Sequence, residues 1–117
     1  MLAKIQNEWG TIGIDQDVIA RVAGLAATDG YGVVGMAAKS MKDDLVHLLK
    51  KESLSKGVRL HIHEDYLTIE LYIIVEYGTN INAIADTLID NVKYRVEEQV
   101  GLPVQQVNVF VEGVRVQ

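Results

Sequence analysis

Cysteine is absent from this 117-residue chain. Its absence excludes disulfide staples, thiolate nucleophiles, cysteine-ligated zinc and iron–sulfur clusters. Long apolar runs are absent too. The longest, "LYIIV", falls far short of the roughly 20 residues that span a bilayer. No apolar segment of signal-peptide type follows "MLAKIQNEWG". Together these absences lead to the expectation of a soluble, cytoplasmic protein, with peripheral membrane attachment through a partner left open. Internal repeats, low-complexity tracts and linkers are also missing, so residues 1–117 read as one domain.

What is present is an apolar content of 49%, enough to build a core rather than a disordered tail. The formal net charge of −5 is unevenly spread: residues 39–61 carry six bases and three acids, whereas residues 64–117 carry nine acids and three bases. The overall sign argues against a general binder of phosphate backbones.

Periodicity supplies the elements. "TIGI" reads as a short strand, and Asp15 as the cap of a helix running to about Thr28. In that helix Val18, Ile19, Val22, Leu25 and Ala26 recur at the spacing of one buried face. "DDLVHLLKKE" has acids at its start and lysines at its end, the charge order that suits a second helix. "LSKG" reads as a loop. "VRLHIH" and "LTIELYIIVEY" alternate as strands, the second placing Leu67, Ile69, Leu71, Ile73, Val75 and Tyr77 on one face. The longer of the two exceeds what its neighbour can cover, so a further strand is expected along the remainder. A long helix from about Asn82 to Val100 buries Ile84, Leu88, Val92 and Val96 and stops at Gly101. "VQQVNVFVEGVRV" is the final strand, with Val107, Val109 and Val111 inward.

The expected fold is therefore a two-layer α/β (α+β) domain of order β-α-α-β-β-α-β. It has a small mixed or antiparallel sheet with helices on one face. Tyr72, Ile74 and Phe110 fall on the outward face of the sheet and are more apolar than a solvated face requires. They are the candidate protein-contact surface.

The stretch "DGYGVVGMA" has Gly30, Gly32 and Gly35 in the G-x-G-x-x-G spacing of a dinucleotide site. Its context is wrong for one, because Gly30 follows a helix where a Rossmann turn follows a strand. No cofactor is expected. Gly32-Val33-Val34-Gly35 also reads as a G-x-x-G turn between two helices. The order up to Val100 then matches a KH domain, whose loop clamps nucleotide backbone. Arg21, Lys39 and Lys42 are the nearby bases. Two valines at the centre of the turn and the acidic balance disfavour nucleic acid, which stays the alternative reading. His61, His63 and Glu64 have the spacing of metal ligands, but fit better as solvent-facing residues of an exposed strand. Asp43 and Asp44 read as a helix start, while Asp86 and Asp90 share the polar face of the last helix. Neither pair has a partner that would split its pKa values. Ser40, Ser53 and Ser55 lack a nucleophile-elbow context.

Three linked blocks, in order, cover nearly the whole chain: "GTIGIDQDVIARVAGLAATDGYGVVGM", "KGVRLHI…LTIELYIIVEYGTNINAIA" and "VKYRVEEQVGLPVQQVNVFVEGVRV". They resemble the alkaline shock protein family, also described as a Gram-positive envelope stress response family. Gly32 and Gly35, followed by Met36, correspond to its recurring "G-V-x-G-M"; Gly30 has no regular counterpart. The resemblance implies a non-enzymatic binding or scaffold protein in cell-envelope homeostasis and general or alkaline stress. Implied partners are a membrane-anchored protein and further copies of the chain, with a functional link to a fatty acid kinase. The family carries no agreed catalytic residues. On this reading Gly32 and Gly35 shape an interhelical turn that presents Val33 and Val34, and Met36 enters the core at the start of the next helix.

Overall fold

The computed structural model describes residues 2–39, 46–48 and 51–116. Its elements are β1 (Leu2–Asn7), β2 (Gly10–Asp15), α1 (Gln16–Thr28), β3 (Val33–Lys39) and β4 (Val46–Leu48). A 3₁₀ segment (Lys51–Gly57), β5 (Val58–Ile62), β6 (Leu67–Glu76), α2 (Ile81–Val100) and β7 (Val104–Arg115) follow. The fold is two-layer α+β with a mixed sheet, as expected, but several elements differ from the sequence reading.

β6 is the centre of the sheet. Leu67 registers with Ile62 of β5 and with Val104 of β7, and Ile73 with Met36 of β3 and Val111 of β7. β5 and β3 therefore share one edge of β6 end to end, and β7 occupies the other in parallel. The extra strand required by the length of β6 is β3. β4 pairs antiparallel with β3 through Ala37–Lys39.

Alternation along β6 separates the two faces. Leu67, Ile69, Leu71, Ile73 and Val75 are buried beneath the helices, while Thr68, Glu70, Tyr72 and Ile74 on the other side are half-buried. Tyr77, read as a sixth inward residue, lies beyond the strand end and is exposed.

In α1 the buried residues are Ile19, Ala20, Ala23, Gly24, Ala26 and Ala27, and the larger Val18 and Leu25 are exposed. The buried face keeps Ile19 and Ala26 of the expected stripe, with Val22 packed at its margin, but turns away from Val18 and Leu25 toward the small residues Ala20, Ala23, Gly24 and Ala27. The reason is close packing: a β-carbon on Gly24 would lie 3.2 Å from Leu54 Cβ and 3.2 Å from its carbonyl oxygen. In α2 the expected residues are buried, Ile84, Leu88, Val92 and Val96 together with Val100. The helix begins a residue earlier than expected, capped by Asn80, whose side chain accepts from the Ala83 amide at 3.1 Å. Asn80→Ala should lower stability by about 1 kcal/mol. Urea unfolding should show the loss as a lower midpoint at unchanged slope. Gly101 closes the helix in the left-handed region (φ 85°). Glu97 Oε2 then accepts from the Val104 amide at 2.9 Å, tying the helix end to the start of β7.

Three corrections concern the middle and the beginning of the chain. Only part of the expected second helix over residues 43–52 lies among the described residues, and there Val46–Leu48 is a strand and Lys51 starts the 3₁₀ segment. Asp43, Asp44, Leu45, Leu49 and Lys50 lie outside them, as do Ser40 and Lys42. "LSKG" belongs to the 3₁₀ segment rather than to a loop. The start of the chain, to which the sequence reading assigns no element before "TIGI", is β1. It pairs with β2 in a hairpin whose turn is held by Asn7 Oδ1, accepting from the amides of Trp9 and Gly10.

Candidate functional site

The glycine stretch is not an interhelical turn. α1 ends at Thr28, Tyr31 and Gly32 turn the chain, and Val33 opens a strand. With a strand directly after the turn, where the KH-like reading needs a helix, that reading is not supported. Of the five residues assigned to the turn, only Gly32 is in it. Its φ of 83° is a conformation that side-chain-bearing residues rarely adopt. Its carbonyl accepts from the Glu76 amide at 3.0 Å, which fastens the turn to the end of β6. Val33 and Val34 are half-buried strand residues, and Val33 packs against the core. Met36 is fully buried, but it sits in β3 opposite Ile73 rather than at a helix start.

Gly35 has a different role from the one its motif suggested. It registers with Ile74, at an irregularity where β3 skips a residue between Val33 and Gly35. On the opposite edge Ile74 registers with Gly113, again beside a register shift. The Ile74 side chain therefore stands between two glycines, and a β-carbon on Gly113 would lie 3.6 Å from its Cγ1. Bulges of this kind bend a strand and re-aim its side chains.

Tyr72 and Phe110 are cross-strand partners on the same outer face. Their rings stack with centroids 5.1 Å apart and an interplanar angle of 17°. The Arg59 guanidinium lies 5.9 Å from the Tyr72 ring centroid, within reach of a cation–π contact. His61 Nε2 and Glu70 Oε1 are 3.0 Å apart on the same face. The sheet thus brings Tyr72, Ile74 and Phe110 onto one surface, bordered by Arg59, His61 and Glu70. The helices cover the other face. Phe110, the most open of the three, is 42% exposed.

Among the described residues the remaining candidates do not converge. His63 stacks on Tyr66 at 4.2 Å and is not joined to His61. Among the described residues no group of three His, Cys, Asp or Glu side chains has the geometry to hold a metal ion. Asp86 and Asp90 are exposed on α2, and Arg21 is exposed on α1. Sequence reasoning placed Gly35 in a turn and did not single out Gly113, and so missed that the two flank Ile74. Their signal is that of glycines inside otherwise apolar strand patterns, but the register that brings them beside Ile74 exists only in the sheet.

Residues 4–116 match the model of the alkaline shock protein 23 family, described by a cell envelope-related function. The chain is 45% identical over 117 residues to protein YloU of Bacillus subtilis (strain 168), covering 99% of this chain and 98% of that one. It is 28% identical over 109 residues to a stress response regulator gls24 homolog of Streptococcus pyogenes serotype M3 (strain MGAS315), covering 91% of this chain and 59% of that protein. Its fold is similar to the solved structure of MamM-CTD H285A, with a TM-score of 0.52 at 14% identity over 85% of this chain and 98% of the other, a likeness of fold alone. Among the described residues no helix is long and apolar enough to cross a membrane. With the family model spanning nearly the full chain and a full-length relative beside it, the chain belongs to the alkaline shock protein family, whose three sequence blocks it carries.

Proposed function

We propose that this domain is a non-enzymatic binding or scaffold module of the cell-envelope and stress systems to which its family is linked, acting through protein–protein contacts. The supporting observation is the sheet face opposite the helices, where the Tyr72–Phe110 stack and the glycine-flanked Ile74 form an apolar centre within a polar rim. A stacked aromatic pair is a rigid anchor that loses little conformational entropy on binding. The proposed occupant is a protein held at the membrane, which would keep the domain at the envelope. The family resemblance also supports a functional link to a fatty acid kinase.

Affinity capture from native cells with membranes retained, followed by direct binding of the recovered protein to the purified domain, tests this reading. Ile74→Ser with Phe110→Ser should weaken that binding about tenfold or more, since losing a buried anchor costs about 2 kcal/mol, while the domain stays folded. Unchanged binding by the double variant would refute the assignment of the face.

A further inference from the structure

The sheet ends at β7, and the far edge of that strand carries no partner strand among the described residues. Both β5 and β3–β4 lie beyond the opposite edge of β6. Proteins ordinarily guard such an edge with charges, proline or a bulge, because its free amide and carbonyl groups will template another strand. β7 has register shifts near its two ends, around Gln105 and Glu112. The stretch between them, Gln106-Val107-Asn108-Val109-Phe110-Val111, contains neither a charge nor a proline. Six extended residues, about 20 Å, make a strand of ordinary length.

Burial gives an independent indication that the edge is incomplete. Leu71 and Ile73 of β6 are 0% exposed. Their register partners Val109 and Val111 face the same helix layer, yet are only half-buried. A strand on the open side of β7 would cover both valines.

We propose that β7 pairs antiparallel with β7 of a second copy of this chain, about a two-fold axis at Val109, so that one sheet runs through the dimer. The stretch is self-complementary at that register. Val109 faces its own counterpart and Val107 faces Val111, apolar against apolar on the helix side. Asn108 faces Phe110 on the outer side, and Glu112 meets the neutral Gln106 rather than another acid. A two-fold pairing also closes on itself and uses up both free edges. The proposal concerns the edge and stands whether or not the outer face takes a partner.

Light scattering on the purified chain should give twice the 12.9 kDa monomer mass at high micromolar concentration. Asn108→Lys with Phe110→Lys sets lysines against lysines across the axis and should yield a folded monomer, as should Asn108→Glu with Phe110→Glu. An equimolar mixture of the two variants should recover the dimer mass. Because the chain has no cysteine, Val109→Cys can cross-link only to its counterpart. Opposed residues of an antiparallel pair lie about 4.5–5.5 Å apart at Cα, a separation a disulfide can bridge. Oxidation should therefore cross-link this variant, whereas Glu64→Cys on an exposed turn should stay free of covalent cross-links while keeping the dimer mass. If the charged variants fail to fold, the cysteine pair decides the matter. A monomeric wild type, a lysine variant that keeps the dimer mass, or a dimer in which Val109→Cys does not cross-link would each overturn the proposal. If the wild type is monomeric while Ile74→Ser with Phe110→Ser still weakens partner binding about tenfold or more, the edge inference fails and the reading of the face survives.

Discussion

Gly32→Ala is expected to destabilise the domain by about 2–5 kcal/mol through two separate costs. A side chain at the left-handed φ of 83° costs roughly 1–2 kcal/mol. The new β-carbon would also clash with Ile84 Cδ1 and lie 2.9 Å from its Cγ1, so α2 must shift or Ile84 must leave its rotamer. Overpacking of that kind costs roughly 1–3 kcal/mol. The two costs can be separated with Ile84→Ala, which by itself should cost about 2–5 kcal/mol as a cavity mutation. Combined with Gly32→Ala it should cost less than the sum, because the methyl group enters the space that Ile84 vacates. Strict additivity in urea unfolding would show that the φ cost acts alone and that the Ile84 contact adds nothing. By contrast, Gly30→Ala should be mild. Gly30 does not have a positive φ, and its nearest approach is 3.3 Å, to the Ala27 carbonyl.

Leu71→Ala should be comparably damaging, at about 2–5 kcal/mol. Leu71 is wholly buried on the central strand, with β5 on one side and β7 on the other. Both neighbours are held in register, which limits collapse into the space left behind. Tyr72, the next residue, points to the opposite face. Tyr72→Ala should forfeit the stack on Phe110, worth about 0.5–1.5 kcal/mol beyond area burial, and should leave the helix–sheet core intact. A calorimetric melt of the two variants therefore reads out the alternation of β6 directly. Equal losses would contradict the assignment of one face to the core and the other to contact.

Elements with long, unambiguous periods are legible in the linear chain. β6 and α2 carry five inward residues each, and their patterns admit one face only. The start of α1 at Asp15 and the end of α2 at Gly101 are equally plain, because a capping carboxylate and a left-handed glycine are local chemistry. α1 shows where the pattern misleads. Its stripe of large residues reads as the core face, yet Val18 and Leu25 stay exposed while the helix approaches Leu54 closely at Gly24, where even a β-carbon would be tight. The middle of the chain misleads differently. Acids before leucines and lysines after them suit a helix in isolation, whereas Val46–Leu48 pairs with β3. Local propensity is a weak prior against such pairing.

The candidate face is partly legible for the same reasons. Alternation alone puts Tyr72, Ile74 and Phe110 outward. Other features depend on residues far apart in sequence. The parallel register that stacks Tyr72 on Phe110, the two glycines that isolate Ile74, and the open edge of β7 all follow from which strand lies beside which. The same holds for Gly32, whose need to be glycine is set half by its own φ and half by Ile84, far along the chain. The alternating faces, the helix ends and the family are properties of the linear chain, because each rests on neighbours within a few residues or on the order of its blocks. That "DGYGVVGMA" is a turn and a strand rather than a loop between helices is a property of the folded molecule, because the partner that makes residues 33–36 extended is the far end of β6.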